Sequence, residues 1–309
     1  MRRAAGRGVR RRADRERGEV MQDVITVGVD GTPEATAAVV WAAREAELRR
    51  ARLRLLHAWV LLAPEPEPGP ADADDQNYWP HRIIGDAREA VRDRHPDLPV
   101  DEALVADDPL AALKEAADRS TLLVLGSRDL GTLARYVMGE IGLQVVAHTR
   151  TPTVLVRARP GAAAPAPDAP VTAGLSLHEP CEALLAFAFE SAARRGAPLR
   201  IVHGRHLPSY AYNRGGGVEP VAAQQAAADA RQELAAALLP WREKFPDVRL
   251  DARVEQESPA QAVLRDAADA ALLVVGRRHK LHFPAPKIGH VVQAAVHHAP
   301  CPVAIVPHE

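Results

Sequence analysis

The chain has 309 residues, enough for two domains of ordinary size, and 47% of them are apolar while only 4% are aromatic, so each core is expected to be built from Val, Leu, Ile and Ala. A formal net charge of −1 removes any global electrostatic reason to expect nucleic acid or an anionic membrane as a partner. The two cysteines, Cys181 and Cys301, stand in unrelated contexts without metal-ligand spacing. Both are expected to be buried as small apolar groups in a reducing cytosol.

The opening stretch "MRRAAGRGVRRRADRERG" holds eight arginines and no apolar run. Such an arm can grip nucleic acid, but arginine clusters alone are a weak signal. The reading favoured is a disordered basic tail over residues 1–20, with Met21 as the working start. It lacks the hydrophobic region of a secretory signal, and no later stretch is long and apolar enough to span a bilayer. A cytoplasmic location is expected.

Past residue 20, apolar runs of strand length alternate with helical patterns. Strands are expected at 24–29, 53–59, 99–105, 122–125 and 153–156, with helices at 33–50, 81–94, 109–119 and 140–148. The chain then repeats itself. "VITVGVDGTPEATAAVVWAAREAELRRARLRLLHAW" from Val24 corresponds to "VTAGLSLHEPCEALLAFAFESAARRGAPLRIVHGR" from Val171, and the second strand of each ends in a histidine, His57 or His203. The spacing from Gly126 to Gly139 equals that from Gly276 to Gly289. This is a tandem duplication of a whole domain, with copies at 21–157 and 171–309 joined by a Pro/Ala-rich linker at 158–170. Asp108 and Ser258, each followed by proline, read as helix N-caps.

Continuous β-branched strands separated by helices imply an α/β fold: two doubly wound domains, each a parallel sheet covered on both faces. Such sheets bind ligands beyond the strand C-termini, where the strand order reverses, which brings Asp30 and the Gly126 loop to one crevice. The apolar closing strands at 153–156 and 303–306 would leave uncovered edges. They are expected to meet each other within one chain, and a homodimer of such chains is left open.

A first strand ending in "VGVDGTPEA", a fourth in "LLVLGSR", a downstream glycine opening a helix and a closing "APCPVAIV" resemble a universal stress protein, twice over. The resemblance implies five-stranded sheets in the order 3-2-1-4-5, packed about a pseudo-two-fold axis. It also implies an adenine nucleotide such as ATP as cofactor. The candidate contacts are then Asp30, Ala58, Gly126, Arg128, Gly139 and Ile141 in the first copy, and Gly276, Arg278 and Gly289 in the second. Nucleotide-binding members carry a glycine, two residues, a second glycine, nine residues, and then Gly-Ser or Gly-Thr. Here Asp129 stands at the second glycine and Glu140 at the hydroxyl; the second copy has His279 and His290 there.

These departures matter physically. Polyphosphate needs backbone N–H groups at a helix N-terminus and positive or hydroxyl side chains around it. A carboxylate at Glu140 interacts well with the helix dipole by itself, so triphosphate in the first copy is disfavoured. Asp30 reads equally as a contact to the adenosine portion or as a former of the turn "DGTPE". In the second copy Ser176 replaces that aspartate, and Arg277, Arg278, Lys280 and Lys287 form a cationic loop, read first as solvated and second as a polyanion site. His279, His282 and His290 lack partners at metal-ligand spacing. His297 and His298, adjacent on a helix and pointing in different directions, are expected to be surface or capping groups, and no catalytic constellation appears. The expectation is a stress-response sensor that binds an adenine nucleotide without turnover. The alternative is an interaction module that has lost the nucleotide and works through its surfaces.

Overall fold

The computed structural model describes residues 23–60, 78–127, 140–158, 166, 168–178, 181–206, 219–278 and 288–308. The first copy runs β1 (Val24–Gly28), α1 (Pro33–Arg49), β2 (Arg52–Trp59), α2 (Tyr78–Arg92), β3 (Val100–Ala106), α3 (Pro109–Asp118), β4 (Leu122–Ser127), α4 (Glu140–His148) and β5 (Thr153–Arg157). The second runs β6 (Val171–Gly174), α5 (Glu182–Arg195), β7 (Leu199–Gly204), α6 (Pro220–Lys244), β8 (Leu250–Glu255), α7 (Pro259–Asp266), β9 (Leu272–Arg278), α8 (His290–His298) and β10 (Val303–His308). The expected elements are all present, with ends displaced by a few residues.

Local chemistry sets the boundaries. Thr32 caps α1 by accepting a hydrogen bond from the Ala35 N–H at 3.2 Å, and Pro33 occupies the first turn, where its missing N–H costs nothing. Asp108 and Ser258 cap α3 and α7 in the same way. Arg50 ends α1 in the left-handed region at φ 53°, and Gly196 ends α5 there at φ 61°. The Cys181 sulfur accepts from the Leu184 N–H at the start of α5. It is a buried cap, as expected, and burial raises its thiol pKa, whereas Cys301, also expected to be buried, is only half-buried.

Within each copy the strands are parallel, in the order 3-2-1-4-5. The two sheets then join into one of ten strands, β3-β2-β1-β4-β5-β10-β9-β6-β7-β8. The junction is antiparallel, with Val303 opposite Leu155 and Ala304 opposite Val154. The closing strands therefore do meet within one chain, and the palindromic order is that of a pseudo-two-fold pair. Each face of this sheet carries an apolar core that runs through both copies. One holds Ile25, Val27, Leu53, Phe189 and Leu234, and the other Leu123, Leu125, Val145, Leu273 and Ile305.

At the pseudo-axis, α1 and α5 pack around a buried charge. Glu45, 1% exposed, accepts from Arg49 on its own helix at 2.6 Å and from Arg195 of α5. Counting back from the left-handed caps Arg50 and Gly196, Glu45 corresponds to Ser191 and Arg49 to Arg195. Arg49 in turn reaches Ser191 Oγ at 3.4 Å and lies over the Phe187 ring. One carboxylate thus serves two guanidinium groups across the axis.

Candidate functional site

The C-terminal edge of the first sheet opens into a cavity of about 510 Å³. Its floor is the end of β1, where two interactions hold the chain. Val29 donates its N–H to the Leu56 carbonyl at 2.8 Å, and the Val29 carbonyl accepts from His57 Nδ1 at 2.6 Å. A carbonyl can only accept, so that bond fixes the imidazole proton on Nδ1. The second copy repeats it, His203 Nδ1 to the Leu175 carbonyl at 2.9 Å. The paired histidines of the sequence are thus structural clamps at the ends of the first strands. Burial lowers the His203 pKa, consistent with a neutral donor.

Beyond Val29 the chain turns through Gly31, at φ 78°, a conformation that glycine adopts without steric cost. Asp30 Oδ1 accepts from the Thr32 N–H at 3.0 Å and from its hydroxyl at 2.5 Å. The turn-forming reading of Asp30 is therefore realised, yet Asp30 also lines the cavity. Ala58 closes the β2 side, and Leu56, Leu113, Leu125 and Leu155 give apolar walls. Gly126 lies where β4 passes the start of α1: a Cβ there would stand 2.7 Å from the Ala35 nitrogen and the Glu34 carbonyl carbon. Only glycine permits that approach, which brings the first turn of α1, with Glu34, to the cavity.

α4 starts at Glu140, as expected, and its first turn lines the opposite side through Ile141 (44% exposed), Gly142, Leu143 and Gln144. The structure thus brings Asp30, Ala58, Gly126 and Ile141 together around one space. Arg128, Asp129, Gly139 and the Glu140 side chain lie outside the described residues. The sequence did not point to Thr32, Glu34, Ser127 or Gln144 as lining residues. Nor did it show that the second copy contributes to this cavity. Val296 and His297, in the last turn of α8, form part of its wall, and Arg157 of β5 donates to the Val296 carbonyl. His297, expected simply at the surface, is exposed at the rim of this cavity. Burial, then the neighbouring His298 and Arg157, lower its pKa.

The second copy departs from the first at the same place. Position 277, one past Gly276, corresponds to Ser127, one past Gly126. Arg277 is only 2% exposed, and its guanidinium donates to the Ala147 carbonyl at 3.1 Å and the Thr149 carbonyl at 2.5 Å, at the C-terminus of α4. That helix end carries partial negative charge. The expectation that Arg277 belongs to a solvated or polyanion-binding loop is corrected: it is an interdomain clamp. Arg278 and Ser176 are exposed, and Gly289 is the N-cap of α8 without a side-chain cap. A Cβ on Gly276 would meet His308 Nε2 at 3.0 Å and Leu184 Cδ1 at 3.2 Å. His279, His282, Lys280 and Lys287 lie outside the described residues. Among the described residues no His/Cys/Asp/Glu cluster is arranged to hold a metal, and no helix is long and apolar enough to cross a membrane.

The sequence model of the universal stress protein family matches residues 21–157 and again 170–307. The chain belongs to the universal stress protein family. It is a tandem member, and curated relatives align with it over nearly their whole length. A universal stress protein of Mycobacterium tuberculosis is 30% identical over 298 residues, covering 92% of this chain and 97% of the relative. One from Mycolicibacterium smegmatis is 29% identical over 290 residues, covering 91% and 96%. Among solved structures, a universal stress protein from Archaeoglobus fulgidus superposes over 94% of this chain and 100% of its own, with a TM-score of 0.63 at 13% identity. That likeness supports the fold.

Proposed function

We propose that this universal stress protein is a cytoplasmic stress-response sensor that binds an adenine nucleotide or nucleoside in the first domain, mainly through the adenosine end, without turnover. The observation that carries the reading is the cavity itself. Its volume falls within the range of small-molecule sites, and it combines apolar walls with a few convergent polar groups. Asp30 and the small Ala58 stand at the β1–β2 end, where a carboxylate can accept from ribose hydroxyls and a methyl group leaves room for a flat base. Among the described lining residues there is no lysine or arginine, and Glu34 adds a negative charge to that of Asp30. This supports recognition that rests on the adenosine portion.

The second domain is read differently. Arg277 takes the position that Ser127 leaves small, which favours an architectural role for that copy, with one ligand per chain. Mass spectrometry of small molecules released from the denatured purified protein tests the reading, together with calorimetry using adenosine and ATP. Binding with a stoichiometry of one, weakened by Asp30→Ala, is expected. No binding of any adenine compound, with a folded protein, refutes the sensor and leaves the interaction module.

A further inference from the structure

The charge around the first cavity is lopsided. Among its described lining residues, Asp30 and Glu34 are the acidic side chains, and His297 is the one that can become a cation. The sheet order separates these groups in space: Ala58 lies on β2, Asp30 follows β1, and His297 comes from beyond β5. A ligand seated with its adenosine end at Asp30 and Ala58 directs its phosphate away from β2, toward β4, β5 and the last turn of α8. His297 stands at that end, held in place because Arg157 grips the Val296 carbonyl beside it.

We propose that His297, supplied by the second domain, is a ligand-contacting residue of the first domain's cavity and provides the positive charge for an anionic adenine nucleotide, so that the site prefers nucleotide over nucleoside increasingly as pH falls. The inference rests on the adenine-binding reading above. His297 neighbours His298 on its own helix, with ring centroids 6.3 Å apart, and Arg157 from β5, while Asp30 and Glu34 line the same cavity from the β1–α1 side. Partial burial, then electrostatic repulsion from the neighbouring His298 and Arg157, lower the imidazole pKa in the empty site. A phosphate brought beside it offsets those repulsions and favours the imidazolium. Binding then takes up a proton, so affinity for the anion rises as pH falls through the histidine range. A neutral ligand provides no such drive.

Calorimetry on the full chain with adenosine and 3′,5′-cyclic AMP tests this, because the phosphodiester keeps a single charge from about pH 8 to about pH 5.5 and any titration belongs to the protein. A bound-state pKa about one unit higher than the free one tightens cyclic AMP binding up to about tenfold over that range, with adenosine affinity unchanged. His297→Gln is expected to abolish the pH effect while leaving adenosine binding intact. His297→Lys is expected to keep the tighter binding at every pH. Persistence of the effect in His297→Gln, or an equal pH effect on adenosine in the unaltered chain, overturns the assignment. Adenosine binding combined with a pH-insensitive cyclic AMP affinity overturns it alone. Failure of both compounds to bind overturns the adenine-binding reading beneath it as well.

Discussion

Replacing Glu45 by glutamine tests the interdomain charge cluster directly. The carboxylate is 1% exposed and accepts from both Arg49 and Arg195. The neutral amide leaves two guanidinium groups facing each other in the α1–α5 packing with no countercharge. Removing one partner of a buried ion pair costs about 3 to 5 kcal/mol, which lowers the melting temperature by roughly 5 to 8 °C in a chain of this size. The pH dependence follows with a definite sign. Burial alone would raise the Glu45 pKa, but Arg195 and Arg49 outweigh it and hold it below the ordinary carboxylate value. A depressed folded pKa stabilises fully above the unfolded value, about 4.3, and the contribution is lost as pH falls through the folded value. Thermal melts of the unaltered chain and the Glu45→Gln variant should therefore differ at neutral pH and converge in acid. A swap makes the test specific: Glu45→Ser with Ser191→Glu moves the carboxylate to the pseudo-equivalent helix, within reach of the same two arginines. Recovery of most of the lost stability is expected. A Glu45→Gln variant within about 1 kcal/mol of the parent, or a swap no better than Glu45→Ser alone, refutes the argument.

Gly126→Ala places a Cβ 2.7 Å from α1 backbone atoms, so the helix start must shift; a loss of about 1 to 3 kcal/mol and weaker adenosine binding are expected by denaturant melts and calorimetry. Arg277→Ser removes a buried charged donor from two carbonyls at the end of α4, and a loss of about 2 to 4 kcal/mol is expected. If Arg277 is what fills the second domain's counterpart of the cavity, the same variant gains a second, weaker adenosine site in calorimetry. His57→Phe should cost about 1 to 3 kcal/mol by orphaning the buried Val29 carbonyl, and amide exchange should show the loss concentrated at the end of β1.

Much of this was legible because it repeats. The strand and helix pattern, the Asp108 and Ser258 caps and the meeting of β5 with β10 follow from hydrophobic periodicity, capping chemistry and the need to cover an apolar edge. Asp30, Ala58, Gly126 and Ile141 converge because strand C-termini and one helix start share an edge of the sheet. What the sequence hid depends on relations between the copies. Arg277 looked like one member of a basic run, since nothing local shows that the C-terminus of α4 lies beneath it. His297 looked like a surface histidine for the same reason: its neighbours in the cavity come from the other half of the chain. The comparison of Ser127 with Arg277, at matched positions after Gly126 and Gly276, was the available signal. It becomes informative only once the face of the sheet that those side chains share is known.

Because β5 and β10 belong to one chain, their antiparallel junction forms in a unimolecular event. Two separate copies would have to find each other by diffusion, whereas a covalent tether of this length keeps them at an effective concentration on the millimolar scale, independent of how much protein the cell holds. It also lifts a constraint that symmetry imposes. In a homodimer every residue near the axis appears twice, so an arginine that clamps one helix end clamps both, and a lone buried glutamate cannot exist. Fusion lets Glu45 face Ser191, and Arg277 stand where the other half has Ser127. One half is thereby free to become the other's wall and clamp.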